Sequence, residues 1–135
     1  MKQKLFSLII LLITIVASSN AQENSRIETA EDVVDRQLEA YNARDIDKFV
    51  ETFSEDVEIY NLKGTLTMKG HDQLRKAYDA LFKNTPNLHC RIVNRIKINN
   101  KVIDLENVDM NERLVEAVAI YEVTDGKITK VTFVD

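Results

Sequence analysis

Cysteine, proline, glycine and tryptophan are scarce in this sequence of 135 residues, which has one Cys, one Pro, three Gly and no Trp. The single cysteine, Cys90, excludes an intrachain disulfide, so the fold depends on its hydrophobic core. We expect Cys90 to be a buried, small apolar residue rather than a reactive thiol. The two histidines and the cysteine do not have the spacing of metal ligands, and no glycine-rich phosphate loop is present. We therefore predict no metal and no cofactor.

Basic residues are fewer than acidic ones. The chain has 18 Lys and Arg and 22 Asp and Glu, which gives a net charge of −4. Proteins that bind nucleic acids use Lys and Arg to neutralise phosphates. The composition therefore predicts no nucleic-acid partner, and it equally disfavours binding to an anionic membrane surface.

Only one long apolar run occurs, and it lies at the N-terminus. Lys2 and Lys4 precede apolar residues 5–16, and small residues follow at Ser19 and Ala21, which is the pattern of an export signal. The run is shorter than the roughly 20 residues of a membrane span. We predict a signal peptide over 1–21, cleaved near Ala21, and a periplasmic or secreted protein with no membrane association after cleavage. An uncleaved anchor is the alternative. Loss of the two lysines would take the net charge to −6.

The remaining chain has the pattern of one domain over 29–135, preceded by a flexible lead-in over 22–28. Apolar residues at helical spacing predict a helix capped by Thr29, a short helix capped by Asp45, and a third helix after 69–71. Strands are expected at 57–61 and 65–68, and again throughout the segment after Leu88. Helices first and strands later favour an α+β fold.

Two hairpins are predicted from Asn99-Asn100 and Asp125-Gly126, because these residues tolerate the positive φ of tight turns. In the first hairpin, the turn places Ile98 opposite Lys101 and Arg95 opposite Asp104, and likewise pairs Ile96 with Ile103, Asn94 with Leu105 and Ile92 with Asn107. We assign the face with the isoleucines to the core and the face with Val102, Asp104, Glu106 and Val108 to the outside. A register slip of one residue would reverse this assignment.

The last hairpin has two apolar faces. We place Val118, Ile120, Val131 and Phe133 on one, and Val115, Ala117, Ala119, Tyr121, Val123, Ile128 and Val134 on the other. A sheet that is apolar on both sides needs a second cover besides its helices. We therefore predict a homodimer formed through the sheet.

Four segments occur in a characteristic order: EAYNARDIDKF at 39–49, FSEDV at 53–57, KGHDQLR at 69–75 and AIYEVTDGKI at 119–128. Together with RIKINNKVIDLE at 95–106, this series resembles the SnoaL-like branch of the nuclear transport factor 2-like superfamily. The resemblance implies two to three N-terminal helices packed on a curved antiparallel sheet, forming a cone with an internal pocket. It also implies frequent dimers through the sheet.

The superfamily includes ketosteroid isomerases, which use a carboxylate base and two acidic hydrogen-bond donors. By the resemblance, the base position falls at Asn61, one donor position at Gln37, and the other at Val118 or Ala119. None of these residues can perform the corresponding role, so we do not expect steroid isomerisation.

The remaining polar and aromatic residues supply the candidate site. Asn61, Tyr78, His89 and Tyr121 are the ligand-binding candidates, and His89, Asp104 and Glu106 are the catalytic ones. Asp104 and Glu106 project from the same side of one strand, where two carboxylates in a dry pocket would raise one pKa. The alternative is that Asp104 forms a cross-strand ion pair with Arg95.

The sequence thus predicts an exported protein that binds a small apolar organic molecule. Two alternatives remain: a cofactor-free isomerase, cyclase or hydrolase, and a protein-interaction module that uses the sheet face.

Overall fold

The structure, a computed structural model, describes residues 26–134, and the predicted signal peptide lies outside this range. Within this range three helices are present: α1 (Ala30–Ala43), α2 (Ile46–Glu51) and α3 (Gly70–Asn84). Thr29 caps α1 in a reciprocal capping box with Asp32, and Asp45 caps α2 by accepting a hydrogen bond from the Lys48 amide. Both predicted caps are confirmed.

Six strands form one sheet: β1 (Phe53–Asn61), β2 (Leu66–Lys69), β3 (His89–Ile98), β4 (Lys101–Met110), β5 (Arg113–Thr124) and β6 (Lys127–Val134). Their order across the sheet is β2-β1-β6-β5-β4-β3. The pairing of β1 with β6 is parallel and the other pairings are antiparallel, so the curved sheet is mixed. The predicted α+β architecture is confirmed, with this one parallel pair as the difference in detail.

The helices pack on the concave face of the sheet, where most of the core lies. Phe49 of α2 is fully buried, and its ring centroid lies 4.5–6.1 Å from those of four other aromatic side chains. Offset and edge-to-face contacts of this kind stabilise beyond simple burial. The four partners are Tyr41, Phe53, Tyr78 and Phe82.

The predicted register of the β3–β4 hairpin is confirmed from its turn to the Asn94–Leu105 pair. A bulge between Ile92 and Asn94 then shifts the ladder, so Ile92 pairs with Glu106 instead of Asn107. Asn99 and Asp125 both have positive φ, as expected for the two turns.

The predicted inner and outer faces of this hairpin are wrong along β4 and, on β3, between the turn and the bulge, whereas Cys90 and Ile92, beyond the bulge, lie on the inner side as predicted. Ile96 and Ile98 are more than half exposed, whereas Val102, Asp104, Glu106 and Val108 are buried beneath the helices. Apolar composition alone could not decide the matter, because the helices cover the side that carries the valines and the two carboxyls.

The faces of the last hairpin also need correction. A register shift between Glu122 and Val123 places Tyr121 opposite Val131 and Ala119 opposite Phe133. Val131 and Phe133 therefore belong to the concave face, together with Tyr121. Val134 pairs with Val118 and lies on the convex face instead.

None of the helices in the part of the chain that the structure describes is long and apolar enough to cross a membrane.

Candidate functional site

A cavity of about 400 Å³ lies between the concave face of the sheet and helices α1 and α3. This volume falls in the range of small-molecule sites in proteins, about 300–1,000 Å³. Most of the lining is aliphatic or aromatic. It comprises Gln37, Leu38, Tyr41, Met68, Ala77, Tyr78, Leu81, Cys90, Glu106, Val108, Met110, Val115, Ala117, Tyr121 and Phe133.

The periodicity of each element explains which residues reach the cavity. On α3, Ala77, Tyr78 and Leu81 share one face at helical spacing. On β4, alternate residues point to the same side of the sheet. Glu106 is one of the residues on the inner side, and it faces the cavity. The polar groups of the site are therefore held by regular secondary structure.

Glu106 is the one carboxylic acid that residues 26–134 contribute to this lining, and it is only 6 % exposed. The Tyr121 hydroxyl donates a 2.9 Å hydrogen bond to its Oε1. Burial raises the pKa of Glu106 to about 7, although the Tyr121 bond acts in the opposite direction. A carboxyl group with this pKa can both donate and accept a proton near neutral pH.

The other titratable groups of the lining are weaker acids. Burial raises the pKa of Cys90 to about 12 and raises the pKa values of Tyr41, Tyr78 and Tyr121 above that of a free tyrosine. These four groups are consequently uncharged at neutral pH, and they offer the cavity hydroxyl and thiol groups.

Asp104 lies two residues before Glu106, but its role is different. It is 1 % exposed and receives a bidentate hydrogen bond from the Arg95 guanidinium, with N–O distances of 2.7 and 2.8 Å. Arg95 also donates to Asp35 of α1. The predicted Arg95–Asp104 pair is therefore present, although it is buried on the concave side rather than exposed on the outer one. Asp104 does not line the cavity.

Two of the four ligand-binding candidates, Tyr78 and Tyr121, line the cavity. Asn61 lies on the concave side but outside the lining, because its side-chain oxygen accepts a hydrogen bond from the Thr65 amide in the β1–β2 turn. His89 is exposed at the start of β3 and also lies outside the lining. The structure therefore does not bring His89, a ligand-binding and catalytic candidate, to the cavity.

The positions that would serve a ketosteroid isomerase are also located by the structure. Gln37 of α1 lines the cavity and is buried. Ala119 is buried on the concave face, whereas Val118 lies on the convex face, so only Ala119 remains as the equivalent of the strand donor.

The sequence analysis did not identify Leu38, Tyr41, Met68 or Met110 as lining residues. The helical spacing of Gln37, Leu38 and Tyr41 could have predicted that these residues share one face of α1 and form the wall of the cavity on that side. No group of three or more His, Cys, Asp or Glu within residues 26–134 is arranged to hold a metal ion.

The sequence matches the model of the SnoaL-like domain over residues 34–131. The chain belongs to the SnoaL-like domain family. The resemblance found in the sequence is thereby confirmed. No curated protein matches the chain.

Solved structures share the SnoaL-like fold at low sequence identity. An uncharacterized cystatin fold protein from Novosphingobium aromaticivorans is 22% identical with a TM-score of 0.76, over 81% of this chain and 100% of that one. An NTF2-like protein of unknown function from Cytophaga hutchinsonii is 16% identical with a TM-score of 0.69, over 81% and 91%. A SnoaL-like protein of unknown function from Burkholderia thailandensis is 16% identical with a TM-score of 0.65, over 77% and 91%.

Proposed function

We propose that this SnoaL-like protein binds a small, largely apolar organic molecule in its cavity. The observation that carries the proposal is an apolar cavity of about 400 Å³ with one buried carboxyl group, Glu106, in its wall. Binding sites for small molecules combine apolar walls with a few oriented polar groups. Gln37, Tyr78 and Tyr121 supply such groups beside Glu106.

Ligand-dependent stabilisation tests this proposal. Thermal unfolding of residues 22–135 is measured against a library of small apolar compounds, and a ligand at a hundredfold excess over its Kd adds about 2.7 kcal/mol to the unfolding free energy. Ala117→Phe fills part of the cavity and should abolish the shift. Ala80→Phe, at an exposed position of α3 outside the lining, is the matched control and should retain it. Binding that survives Ala117→Phe would place the ligand elsewhere and contradict the proposal.

A second candidate function is cofactor-free proton transfer by Glu106, as in an isomerase, cyclase or hydrolase. The observation that favours it is the pKa of about 7 at a carboxyl group which Tyr121 orients. Compounds identified by thermal shift would be tested for turnover by the native protein and by Glu106→Gln. His89→Ala is the control, because His89 lies outside the cavity. Equal turnover by native protein and Glu106→Gln would contradict this function.

We also propose a homodimer formed through the convex face of the sheet. Two apolar rows cross this face: Ile96, Ile103 and Ile120 pair in one, and Leu105, Val118 and Val134 in the other. Ile96 is 57% exposed in the single chain. An exposed apolar strip of this kind is typical of an interaction surface.

Light scattering of the mature protein tests the dimer. Ile120→Lys should produce a monomer, because it places a charge in the middle of the strip. Leu62→Lys, at an exposed position of the β1–β2 turn, should leave the dimer intact. A native monomer would contradict the dimer and favour the convex face as a docking site for another protein.

Export is the last part of the proposal, and it depends on the sequence of residues 1–21. Expression of the full chain in a Gram-negative host should give a periplasmic or secreted protein whose intact mass lacks these residues. A full-length mass in the membrane fraction would favour the uncleaved anchor.

A further inference from the structure

The ionisable groups that line the cavity are all acids. Glu106, Cys90 and three tyrosines are present, whereas the lining contributed by residues 26–134 has no Lys, Arg or His. An anionic ligand would therefore meet a carboxylate and no compensating positive charge. A cationic ligand would instead meet a negative charge that compensates its own.

One carboxylate oxygen of Glu106 is available to accept a hydrogen bond from a ligand. Its Oε1 accepts from Tyr121, while no other described residue donates a hydrogen bond to its Oε2. Because the side chain is 6 % exposed and borders the cavity, a donor that reaches Oε2 must come from the cavity side. Hydrogen bonds to a charged group are stronger than those between neutral groups, so a ligand that supplies a donor to this carboxylate oxygen gains more than an ordinary hydrogen bond.

Arg95 lowers the pKa of Glu106, but the charge of Asp104 raises it more, so Arg95 does not neutralise Glu106. The Arg95 guanidinium donates both to Asp104 and to Asp35, and Glu31 lies 3.6 Å from it. Its single positive charge is thus shared among three carboxylates. The local field at Glu106 stays negative, which favours a positive charge in the cavity.

Four aromatic side chains line the same cavity as this carboxyl group. The ring centroids of Tyr41 and Tyr78 lie 6.2 Å apart in an edge-to-face arrangement, and both residues border the cavity with Tyr121 and Phe133. Aromatic faces attract cations, and the effect is strongest where water is excluded.

From this geometry we infer that the ligand is an organic amine, whose protonated amino group donates to Oε2 of Glu106 while its apolar body fills the rest of the cavity. The inference depends on the proposed binding function, and it names the class of ligand. The same charges disfavour carboxylates and phosphate esters as ligands.

Three probes of nearly equal shape test the inference by calorimetry at pH 7.5. They are 2-(1-naphthyl)ethylamine, which is cationic, 2-(1-naphthyl)ethanol, which is neutral, and 1-naphthylacetate, which is anionic. The amine should bind at least about tenfold more tightly than the alcohol, since a charged hydrogen bond is stronger than a neutral one. The acetate should bind more weakly than either.

Glu106→Gln keeps the shape of the side chain and removes its charge. In this variant the amine should lose its preference and bind no more tightly than the alcohol, whose own affinity should change by less than about threefold. Glu116→Gln removes an equal charge from an exposed position on β5 and should retain the preference of the native protein.

The outcomes separate the two proposals. If the alcohol binds as tightly as the amine, the amine inference is overturned while the binding function stands. If the amine keeps its preference in Glu106→Gln, the inference is overturned as well, because another group holds the charge. If none of the three probes binds, the amine inference is overturned, and the thermal-shift library decides the binding function separately.

Discussion

The Tyr121 hydroxyl of β5 donates a 2.9 Å hydrogen bond to Oε1 of Glu106 on β4. Both residues are buried and both line the cavity, so a titratable carboxyl group is held in a fixed orientation against apolar walls. The protonation of Glu106 should therefore affect both the stability of the fold and the chemistry of the site. Substitutions of Glu106 and of Tyr121 test the two members of the pair separately.

The stability of the domain should depend on the protonation of Glu106. Its pKa is about 7 in the folded protein against 4.5 for an ordinary Glu, so the folded state binds the proton more tightly than the unfolded state. The free energy of unfolding should therefore fall by up to about 3 kcal/mol as the pH rises from 4.5 through 7.

Urea unfolding of the native protein and of Glu106→Gln at several pH values measures this effect. The variant should lack the part of the decline that belongs to Glu106, because glutamine does not titrate. Cys90 and the cavity tyrosines remain protonated over this range and should not contribute. Parallel curves for the two proteins would show that Glu106 has an ordinary pKa.

Removal of the Tyr121 hydroxyl should raise the pKa of Glu106 further. The hydrogen bond stabilises the carboxylate, and Tyr121→Phe removes it while keeping the ring. The pKa is measured by carbon-13 NMR of the Glu106 side-chain carboxyl. Tyr60→Phe is the control, because Tyr60 donates to Glu58 on the convex face. A pKa that falls or stays constant in Tyr121→Phe would contradict the assigned hydrogen bond.

The Arg95–Asp104 pair should matter far more for stability than a surface pair on the same strands. Asp104 is 1 % exposed, and loss of Arg95 leaves its charge buried without a partner. Arg95→Ala should cost about 3 kcal/mol or more of unfolding free energy at pH 7. Arg91→Ala breaks the exposed pair with Asp109 and should cost less than about 1 kcal/mol. Similar losses in the two variants would mean that the buried pair is not formed.

Cys90 should react very slowly with thiol reagents in the folded protein. Its pKa of about 12 against 9.0 for the free thiol leaves roughly a thousandfold less thiolate at pH 8, and its burial restricts access. Labelling is followed by absorbance, and unfolding in guanidinium should make it fast. The control is a double variant with Cys90→Ala and Thr124→Cys, which moves the single thiol to an exposed position. Equal labelling rates for the native protein and this double variant would contradict the buried position of Cys90.

Local patterns in the sequence were sufficient to predict the helix caps, both turns and the pairing of Arg95 with Asp104. Each of these depends on residues that are close in sequence or fixed by a tight turn. The bulge between Ile92 and Asn94 was not predictable, because no glycine or proline marks it. Beyond the bulge the register shifts, and Glu106 pairs with Ile92.

The larger error was the prediction of which face of the sheet the helices cover. Ile96, Ile98 and Ile103 lie on one face of the first hairpin, yet that face is the outer one. Hydrophobicity indicates that a face will be covered, but not by what, and here helices cover the face with Asp104 and Glu106. The candidate site was therefore only partly predictable: the ligand-binding candidates Tyr78 and Tyr121 line the cavity, while Glu106, a catalytic candidate that also lines it, was assigned to the outer face.

The position of β6 in the sheet has a consequence for the order of folding. β6 is the last strand of the domain, but it lies in the centre of the sheet, between β1 and β5. The β2-β1 pair and the β5-β4-β3 meander are joined through it alone. During synthesis the chain emerges N-terminus first, so the two halves must wait for residues 127–134 before the sheet can close. The long-range parallel pairing of β1 with β6 should thus be the slow, late step, and a chain shortened before Lys127 should remain open and prone to aggregation.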